Sequence, residues 1–390
     1  MSPSSRLEAL ADVSTTARAR VDQLLTLAED GLRRMHDGGV FGHTLRAVKT
    51  DTGWTERLEG DSLRYASMVA LGLSHVDEEV QRMVLGGRTA AELARTCAVR
   101  AEASPDAGAV ALAAWSAAEA GGICAAQLFA VLAARIESPR PIDTVDCAWA
   151  LTAALAAGHL GSTKRLVELA GMRLRAAQSR DGLFPHLLPA RASGRLRAHI
   201  GCFADQVYPI QALSRLSVAR NDASALAAAE SCAARICALQ GPAGQWWWHY
   251  DTRDGSVVER YPVYSVHQHA MAPMALLDLQ EAGGPDHWRS IILGLQWLDA
   301  PPETAETLVC PQKGVIWRKV ARREPAKAAR AVAAVTTAMA PGLHLPMIDT
   351  LFPPGPVDHE CRPYELGWLL YAWRSRLVGA HDDGSKPGEI

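Results

Sequence analysis

Apolar residues recur along nearly the whole chain at the spacing of an α-helix, and the segments that carry this spacing are of two kinds. Segments of the first kind have charged residues on one face, which is typical of a helix with one face in water. They span residues 17–35, 75–98, 124–136, 161–178, 224–240 and 285–298. We interpret these six segments as outer helices.

Segments of the second kind are more apolar, are rich in small residues, and carry their polar residues near the start. They span residues 61–74, 104–121, 144–158, 201–218, 264–282 and 360–377. The two kinds alternate strictly, and signals for strands are nearly absent, so the chain predicts six helical hairpins. The predicted fold is all-α: an (α/α)6 toroid in which the second kind forms an inner ring around a central cavity.

Residues 300–357 interrupt the alternation of outer and inner segments, because this stretch is too long for a hairpin loop. They contain a basic helical segment and a proline-rich connection before the last inner helix. Two interpretations stay open for this insertion, a lid over the cavity or a packing element on the rim. We predict one domain over residues 1–378 and a disordered tail over residues 379–390.

Composition and charge narrow the class of protein. Hydrophobic residues make up 48% of the chain and charged residues 21%, the balance of a globular protein with a large core. The formal net charge of -2 gives no basic field that would attract nucleic acid. Residues 1–20 are polar and unlike a signal peptide, and no run of about 18 apolar residues would span a membrane. We therefore expect a cytoplasmic protein without a membrane span or a nucleic-acid partner.

The eight cysteines form no Cys-x-x-Cys pair, and most lie in apolar helical segments. This placement favours small buried thiols in a reducing compartment. Histidines and cysteines also lack the close pairs of a structural zinc site. We therefore predict no metal and no cofactor.

Two loops that follow outer helices share the pattern Gln-x3-Gly-x-aromatic, at residues 178–184 and 240–246, and looser versions lie at 35–41 and 312–317. A glycine with positive φ would end the helix, and the aromatic residue would plug the turn. The pattern resembles the QW motif of squalene-hopene-type terpene cyclases. Similar turns occur in six-hairpin glycosidases, N-acylglucosamine 2-epimerase-like proteins, uronyl epimerases and polysaccharide lyases. The resemblance implies the toroid fold and an activity on sugars or on terpenes.

In such a toroid the polar residues at the inner-helix starts converge at the mouth of the cavity. Asp205 lies within an apolar helix, past the expected cap, and either catalysis or a buried structural hydrogen bond explains it. His267 lies one turn from Tyr264 and is a candidate general acid or base. Glu360 precedes the last inner helix, at a start marked by proline. We predict catalytic roles for these four residues: Asp205, Tyr264, His267 and Glu360.

Aromatic residues are densest just before the fifth inner helix, where three tryptophans follow one another. Aromatic rings suit sugars, which stack their C–H faces on them, and carbocations, which are attracted to the π-face. A guanidinium suits a carboxylate or phosphate, although Arg362 could equally pair with Glu360 or Glu365. The predicted substrate-binding residues are Tyr65, Tyr208, Trp246, Trp247, Trp248, Tyr250, His269, Arg362 and Tyr364.

These candidates favour a carbohydrate-active enzyme, a hydrolase, lyase or epimerase, that holds an oligosaccharide or polysaccharide in the central cavity. A hydrolase would pair Asp205 with Glu360 or Asp146. A lyase or epimerase would use Tyr264 and His267, with Arg362 on the carboxylate.

Two alternatives stay open. One is a terpene cyclase, although the acidic DxDD and DDxxD runs of such enzymes are absent from the sequence. The other is a non-catalytic glycan-binding protein. The predicted partner is a small molecule or an oligosaccharide, and the oligomeric state is left open.

Overall fold

The computed structural model describes residues 5–51 and 53–375. The predicted tail at residues 379–390 lies outside the described residues. The α-helices of this part of the chain are α1 Arg6–Val13, α2 Thr15–Met35, α3 Leu63–Leu73, α4 Glu78–Val84, α5 Ala90–Ala101, α6 Ala107–Glu119, α7 Ala126–Glu137, α8 Thr144–Ala156, α9 Lys164–Ala177, α10 Ala204–Arg220, α11 Ala223–Ala238, α12 Ala272–Glu281, α13 Trp288–Asp299, α14 Ala328–Met339, α15 Ile348–Leu351 and α16 Pro363–Arg374. A π-helical turn, His267–Met271, leads into α12.

The inner helices form a closed ring. Around the ring α3 contacts α6, α6 contacts α8, α8 contacts α10, α10 contacts α12, α12 contacts α16, and α16 returns to α3. Outer helices α2, α5, α7, α9, α11 and α13 pack against this ring from outside. The predicted (α/α)6 toroid is therefore confirmed. The predicted outer helix at residues 75–98 is wrong in detail, because Gly86 and Gly87 adopt positive φ and separate α4 from α5.

The last and first inner helices approach unusually closely where they close the ring. A side chain at Gly72 would lie 2.1 Å from the backbone oxygen of Gly367. Only two glycines allow the backbones to meet at this distance. We call this contact the seam between α3 and α16; its close packing depends on the absence of side chains at Gly72 and Gly367.

The repeated turns have the geometry that their sequence predicts. Gly182 and Gly244 have φ of 85° and 97°, and the aromatic residues that follow, Phe184 and Trp246, are fully buried. The glutamine of each turn also donates a hydrogen bond to the next outer helix, which the sequence pattern alone does not predict. Gln178 Nε2 donates to the Ala228 carbonyl of the next outer helix at 2.8 Å, and Gln240 Nε2 donates in the same way to Ser290 of α13 at 2.9 Å.

Short strands lie at the mouth of the toroid, and the sequence pattern did not predict them. They are β1 His36–Asp37, β2 Val40–Phe41, β3 Thr44–Thr50, β4 Gly53–Glu59, β5 Ile142–Asp143, β6 Leu187–Leu188, β7 Ile200–Cys202, β8 His249–Asp251, β9 Val257–Glu259, β10 Val263–Tyr264, β11 Val309–Cys310, β12 Val315–Ile316, β13 Lys319–Arg322, β14 Pro354–Asp358 and β15 Glu360–Cys361. The hairpin β3–β4 pairs antiparallel with β15, beside the start of α16.

The insertion at residues 300–357 is joined to the mouth by one three-stranded sheet and by helix α14. Strand β13 pairs with β10, which precedes the fifth inner helix, and with β14. Helix α14 packs on β9, and Thr337 of this helix bonds His199 Nε2 at 2.9 Å.

The opposite end of the ring, where the inner helices finish, is closed by a buried ionic network. Asp278 of α12 is fully buried between Arg6 Nη2 at 2.5 Å and Arg215 Nε at 2.7 Å. Arg215 also donates to Glu119 at 3.2 Å and to the Tyr371 hydroxyl at 2.6 Å. We call these five residues the floor network.

Two further expectations were that the cysteines are unpaired thiols and that the chain has no membrane span. The eight cysteines are all free thiols, and four of them are buried. Among residues 5–51 and 53–375, no helix combines the length and the apolarity that a membrane crossing requires.

Candidate active site

A cavity of ≈ 230 Å³ lies at the starts of the inner helices, inside the ring. Residues from five of the six inner-helix segments, Trp248 of the segment before the fifth inner helix, and one residue of the insertion surround it. Its lining residues are Arg64, Tyr65, Met68, Val145, Trp149, Ala204, Tyr208, Trp248, Tyr264, His267, Met271, Arg318 and Tyr364. We call this space the central cavity.

Aromatic rings make up much of the wall of the central cavity. Tyr65 and Tyr364 lie with ring centroids 4.6 Å apart. Trp248 stacks parallel to the His267 imidazole, at 6.0 Å and an interplanar angle of 10°. Trp149 meets Tyr208 edge-on at 4.9 Å. Such flat walls suit a ring-shaped ligand.

Two guanidinium groups are part of the lining of the cavity. Arg318 of the insertion lies 4.8 Å from the Tyr264 ring centroid, and its buried Nε has no hydrogen-bond partner among the described residues. Arg64 lies 5.4 Å from the Trp149 ring centroid and donates through Nε to Asp106 at 2.7 Å. These two residues and the neutral imidazole of His267 are the ionisable nitrogen groups in its lining.

Two carboxyl groups share Arg64, and their pKa values are pushed in opposite directions. Burial raises the pKa of Asp146 to about 7, against the lowering effect of Arg64, whose Nη2 lies 3.4 Å away. Burial acts in the same direction on Asp106, but hydrogen bonds from Arg64 and from the backbone of α6 outweigh it and lower its pKa. Neither carboxyl is among the residues that line the central cavity; both contact Arg64, which does line it. Near neutral pH about half of Asp146 carries a proton, beside an ionised Asp106.

Glu365 is a third carboxyl at the mouth, at the start of α16. Burial raises its pKa to about 7, although Arg318 and Arg362 act to lower it. Its Oε1 lies 3.5 Å from Arg318 Nε and has no hydrogen-bond partner in the described part of the chain. Glu365 thus lies behind Arg318 as seen from the cavity lining.

Six of the predicted site residues do line the central cavity: Tyr65, Tyr208, Trp248, Tyr264, His267 and Tyr364. Burial, with a smaller contribution from Arg318, lowers the pKa of His267 to about 3. Its imidazole is therefore neutral at physiological pH and is a weak base.

Glu360 and Arg362 lie at the edge of this lining and bond to each other, the Arg362 Nη2 donating to Glu360 Oε2 at 3.0 Å. Arg362 Nη1 also donates to the Tyr65 hydroxyl at 2.9 Å. Burial acts to raise the pKa of Glu360, but Arg362, Arg46 and Arg318 outweigh it, and the pKa is lowered. Glu360 is thus ionised near neutral pH.

The remaining predicted binding residues lie outside the lining of the central cavity. Of the three adjacent tryptophans, only Trp248 lines the central cavity. Trp246 is fully buried against Phe203, and Trp247 meets Tyr261 edge-on at 5.9 Å. The other two, Tyr250 and His269, are fully buried in the core.

Asp205 is also outside this lining, although it begins the neighbouring inner helix α10. It is fully buried, accepts from the Cys202 backbone N–H at 2.7 Å, and lies 3.1 Å from His186 Nδ1. Its contacts are those of the buried structural hydrogen bond that the sequence left as one interpretation. The structure brings His267 to the central cavity and keeps Asp205 apart from it.

Sequence reasoning missed Arg318 and Trp149 as lining residues. Arg318 lies in the insertion, where no helical period predicts which residues face the cavity. Trp149 lies one turn into α8, and Asp146 precedes it by three residues on the same helix face, so the periodicity of α8 carried a usable signal.

No protein-family model matches the chain, and no curated protein matches it. Among solved structures, the chain is similar to an unsaturated glucuronyl hydrolase specific for heparin, with a TM-score of 0.56 and 12% identity over 91% of this chain and 96% of that one. The unsaturated glucuronyl hydrolase of Bacillus sp. GL1, described as responsible for the degradation of glycosaminoglycan, gives 0.51 and 12% over 91% and 95%. A possible member of the GH105 family from Salmonella enterica serovar Paratyphi A gives 0.51 and 13% over 91% and 92%. At these identities the similarity establishes the fold alone.

Proposed function

We propose that this chain is a glycoside hydrolase that acts on an oligosaccharide ending in an acidic sugar. The observation that carries the proposal is the pair of carboxyls on Arg64, Asp146 with its pKa raised to about 7 and Asp106 with its pKa lowered. Hydrolysis of a glycosidic linkage uses one carboxyl as a proton donor and another in its ionised form.

In this proposal Asp146 donates the proton, because about half of it carries one near neutral pH. Its Oδ1 is buried without a hydrogen-bond partner among the described residues, and Arg64 Nη2 lies 3.4 Å from it. Asp106 remains ionised beside Arg64 and supplies the second, negatively charged carboxylate.

The acidic character of the substrate follows from the lining. Arg64 and Arg318 are the charged residues in the lining of the central cavity. Arg318 Nε has no hydrogen-bond partner among the described residues and lies 3.5 Å from Glu365 Oε1. A sugar carboxylate would accept hydrogen bonds from Arg318 while the sugar ring stacks on Trp248. The insertion acts as a lid in this scheme, since it delivers Arg318.

The other chemistries fit this lining less well. A carbocation formed by a terpene cyclase would be repelled by two guanidiniums. A lyase or epimerase that relied on His267 would have a weak base, because burial lowers the pKa of that residue to about 3. The solved hydrolases named above act on unsaturated glucuronyl substrates, which makes such oligosaccharides the first class to test.

The test is an assay with unsaturated uronyl disaccharides released from several acidic polysaccharides. We expect loss of the ultraviolet absorbance of the unsaturated uronate together with release of a free sugar. Neutral aryl glycosides serve as the control and should remain intact. Turnover of a prenyl diphosphate with every sugar inert would contradict the proposal, and so would tight binding of the disaccharides without any cleavage.

A further inference from the structure

A second cavity of ≈ 210 Å³ adjoins the central one, and Trp248 lines both. We call it the side cavity. Helix α14 of the insertion contributes Arg330 to it, and the loop before β7 contributes Ser193 and Arg197. Its full lining is His186, Ser193, Arg197, Ile200, Cys202, Trp248, His249 and Arg330.

Four polar atoms of residues that line the side cavity have no hydrogen-bond partner in the described part of the chain. They are Ser193 Oγ, Trp248 Nε1, His249 Nδ1 and Arg330 Nε, all buried. His249 is only 5% exposed, so bulk solvent does not satisfy its ring nitrogen. Buried polar atoms nearly always have partners, so these four atoms require either ordered water or a ligand.

The charge of this cavity is positive. Neither Arg197 nor Arg330 forms an ion pair with a carboxylate of the described residues. Burial lowers the pKa of His249, and the nearby Arg330, Arg197 and His186 lower it further. The Asp205 carboxylate is already engaged by His186 and by the Cys202 backbone N–H.

We propose that the side cavity binds a tetrahedral oxyanion, a phosphate or sulfate group. Such a group accepts several hydrogen bonds at once and matches the guanidinium of arginine. The volume is on the order of ten times what one water needs, so the oxyanion fits together with part of the molecule that bears it. The oxyanion is either a free ion or an ester group on a sugar that extends from the central cavity past Trp248.

A metal ion is the competing occupant. Donor atoms of His186, Cys202 and Asp205 lie within 4.8 Å of one another. Two features oppose a cation: the guanidiniums that share the cavity, and burial next to Asp205, which raises the pKa of the Cys202 thiol well above its ordinary value. A thiol that keeps its proton is a poor metal ligand.

The experiment is calorimetric titration of the whole chain with sulfate and with phosphate, at constant ionic strength set by chloride. We expect saturable binding of at least one oxyanion. Arg197→Gln and Arg330→Gln should each weaken it by roughly tenfold, the scale of one charged hydrogen bond. The matched control is Arg323→Gln, an exposed arginine on the same insertion that should leave the affinity unchanged.

Sugar sulfates and phosphates, each compared with the unsubstituted sugar, distinguish the two sources. Tighter binding of the ester than of the free ion, lost in Arg330→Gln, assigns the site to an ester group of a substrate. Binding of the free ion without any gain from the sugar assigns it to a free ion. The double variant binding as well as the unmodified chain, or an absence of saturable binding, would overturn the proposal. So would stoichiometric zinc that Cys202→Ala abolishes and sulfate does not displace. Because the readout is binding, the result does not depend on whether the chain hydrolyses a glycoside.

Discussion

Both ends of the inner ring bury arginines and carboxylates, but the hydrogen bonding of these groups differs between the two ends. At the floor, Asp278 accepts from Arg6 and Arg215, and Arg215 also bonds Glu119 and Tyr371. At the mouth, Asp146 Oδ1, Glu365 Oε1 and Arg318 Nε are buried without hydrogen-bond partners among the described residues. The five residues of the floor network hydrogen-bond one another, whereas these three groups at the mouth have only ion-pair contacts within the described part of the chain, at 3.4 and 3.5 Å.

Helix direction reinforces this difference. The inner helices end at the floor, where their carbonyl ends favour the cations of Arg6 and Arg215. They begin at the mouth, where free backbone N–H groups favour an anion. Substitutions at the floor should therefore change stability first, and substitutions at the mouth should change function first.

The largest effect is expected at the floor. Asp278→Ala leaves two buried guanidiniums without their shared carboxylate, which should lower the free energy of unfolding by about 3–5 kcal/mol. Chemical denaturation measures it. Glu78→Ala, which breaks the exposed pair with Arg82, is the control and should cost less than about 0.5 kcal/mol. Equal losses in the two variants would show that the floor network does not stabilise the ring.

The next largest effect is expected at Asp146. Asp146→Asn removes the proposed proton donor and should lower turnover by roughly 100-fold or more. Asp205→Asn, at a buried carboxylate that accepts from the Cys202 backbone N–H and lies beside His186 rather than Arg64, is the comparison and should retain most of the turnover. The reverse order of the two variants would return the catalytic role to Asp205, as the sequence predicted.

The same Asp146 variant should also change how stability depends on pH. Folding raises the pKa of Asp146 from its ordinary value of 3.8 to about 7, so the folded state holds the proton more tightly. The stability that the protonated Asp146 contributes to the folded state is therefore present at low pH and is lost as pH rises through about 7. Relative to the unmodified chain, Asp146→Asn should therefore gain stability between about pH 5 and pH 8, on the order of 2 kcal/mol. A constant difference across this range would contradict the raised pKa.

The smallest effect is expected at the aromatic wall. Trp248→Ala removes a stacking surface that acts on the ground state and the transition state alike, so KM should rise roughly tenfold while kcat changes little. Trp247→Ala should lower the melting temperature and leave KM unchanged, because Trp247 packs against Tyr261 outside the cavity. Steady-state kinetics and thermal melting together separate the two tryptophans. A KM effect confined to Trp247 would reverse this assignment.

The fold was predictable because helical periodicity repeats in every hairpin, and an error in one segment does not disturb the count. The division of residues 75–98 into α4 and α5 shows this, since the ring is unaffected. The turns at Gly182 and Gly244 were also predictable, because a glycine with positive φ is a local requirement.

The site was only partly predictable, because which side chain reaches the cavity depends on contacts between distant segments. Three adjacent tryptophans look equivalent in sequence, but only Trp248 faces the cavity. Asp205 and Asp146 both lie near the starts of apolar inner helices, and only their neighbours, His186 and Arg64, distinguish a bonded carboxylate from an available one. Arg318 reaches the cavity through strand pairing between β13 and β10, which no local pattern announces.

The seam between α3 and α16 has a consequence for how the chain acquires its structure. Arg6 donates to the carbonyl of Ala372, a residue 366 positions away, so the first described helix docks onto the last inner one. An open helical repeat gains stability one unit at a time, but a ring whose first inner helix packs against its last has no stable partial form of that kind. Helix α3 can pack against α5 and α6 early in synthesis, but its contact with α16 through Gly72 and Gly367 forms only after α16 has been made. Closure of the ring thus depends on contacts between residues far apart in sequence, the kind of contact that generally slows folding.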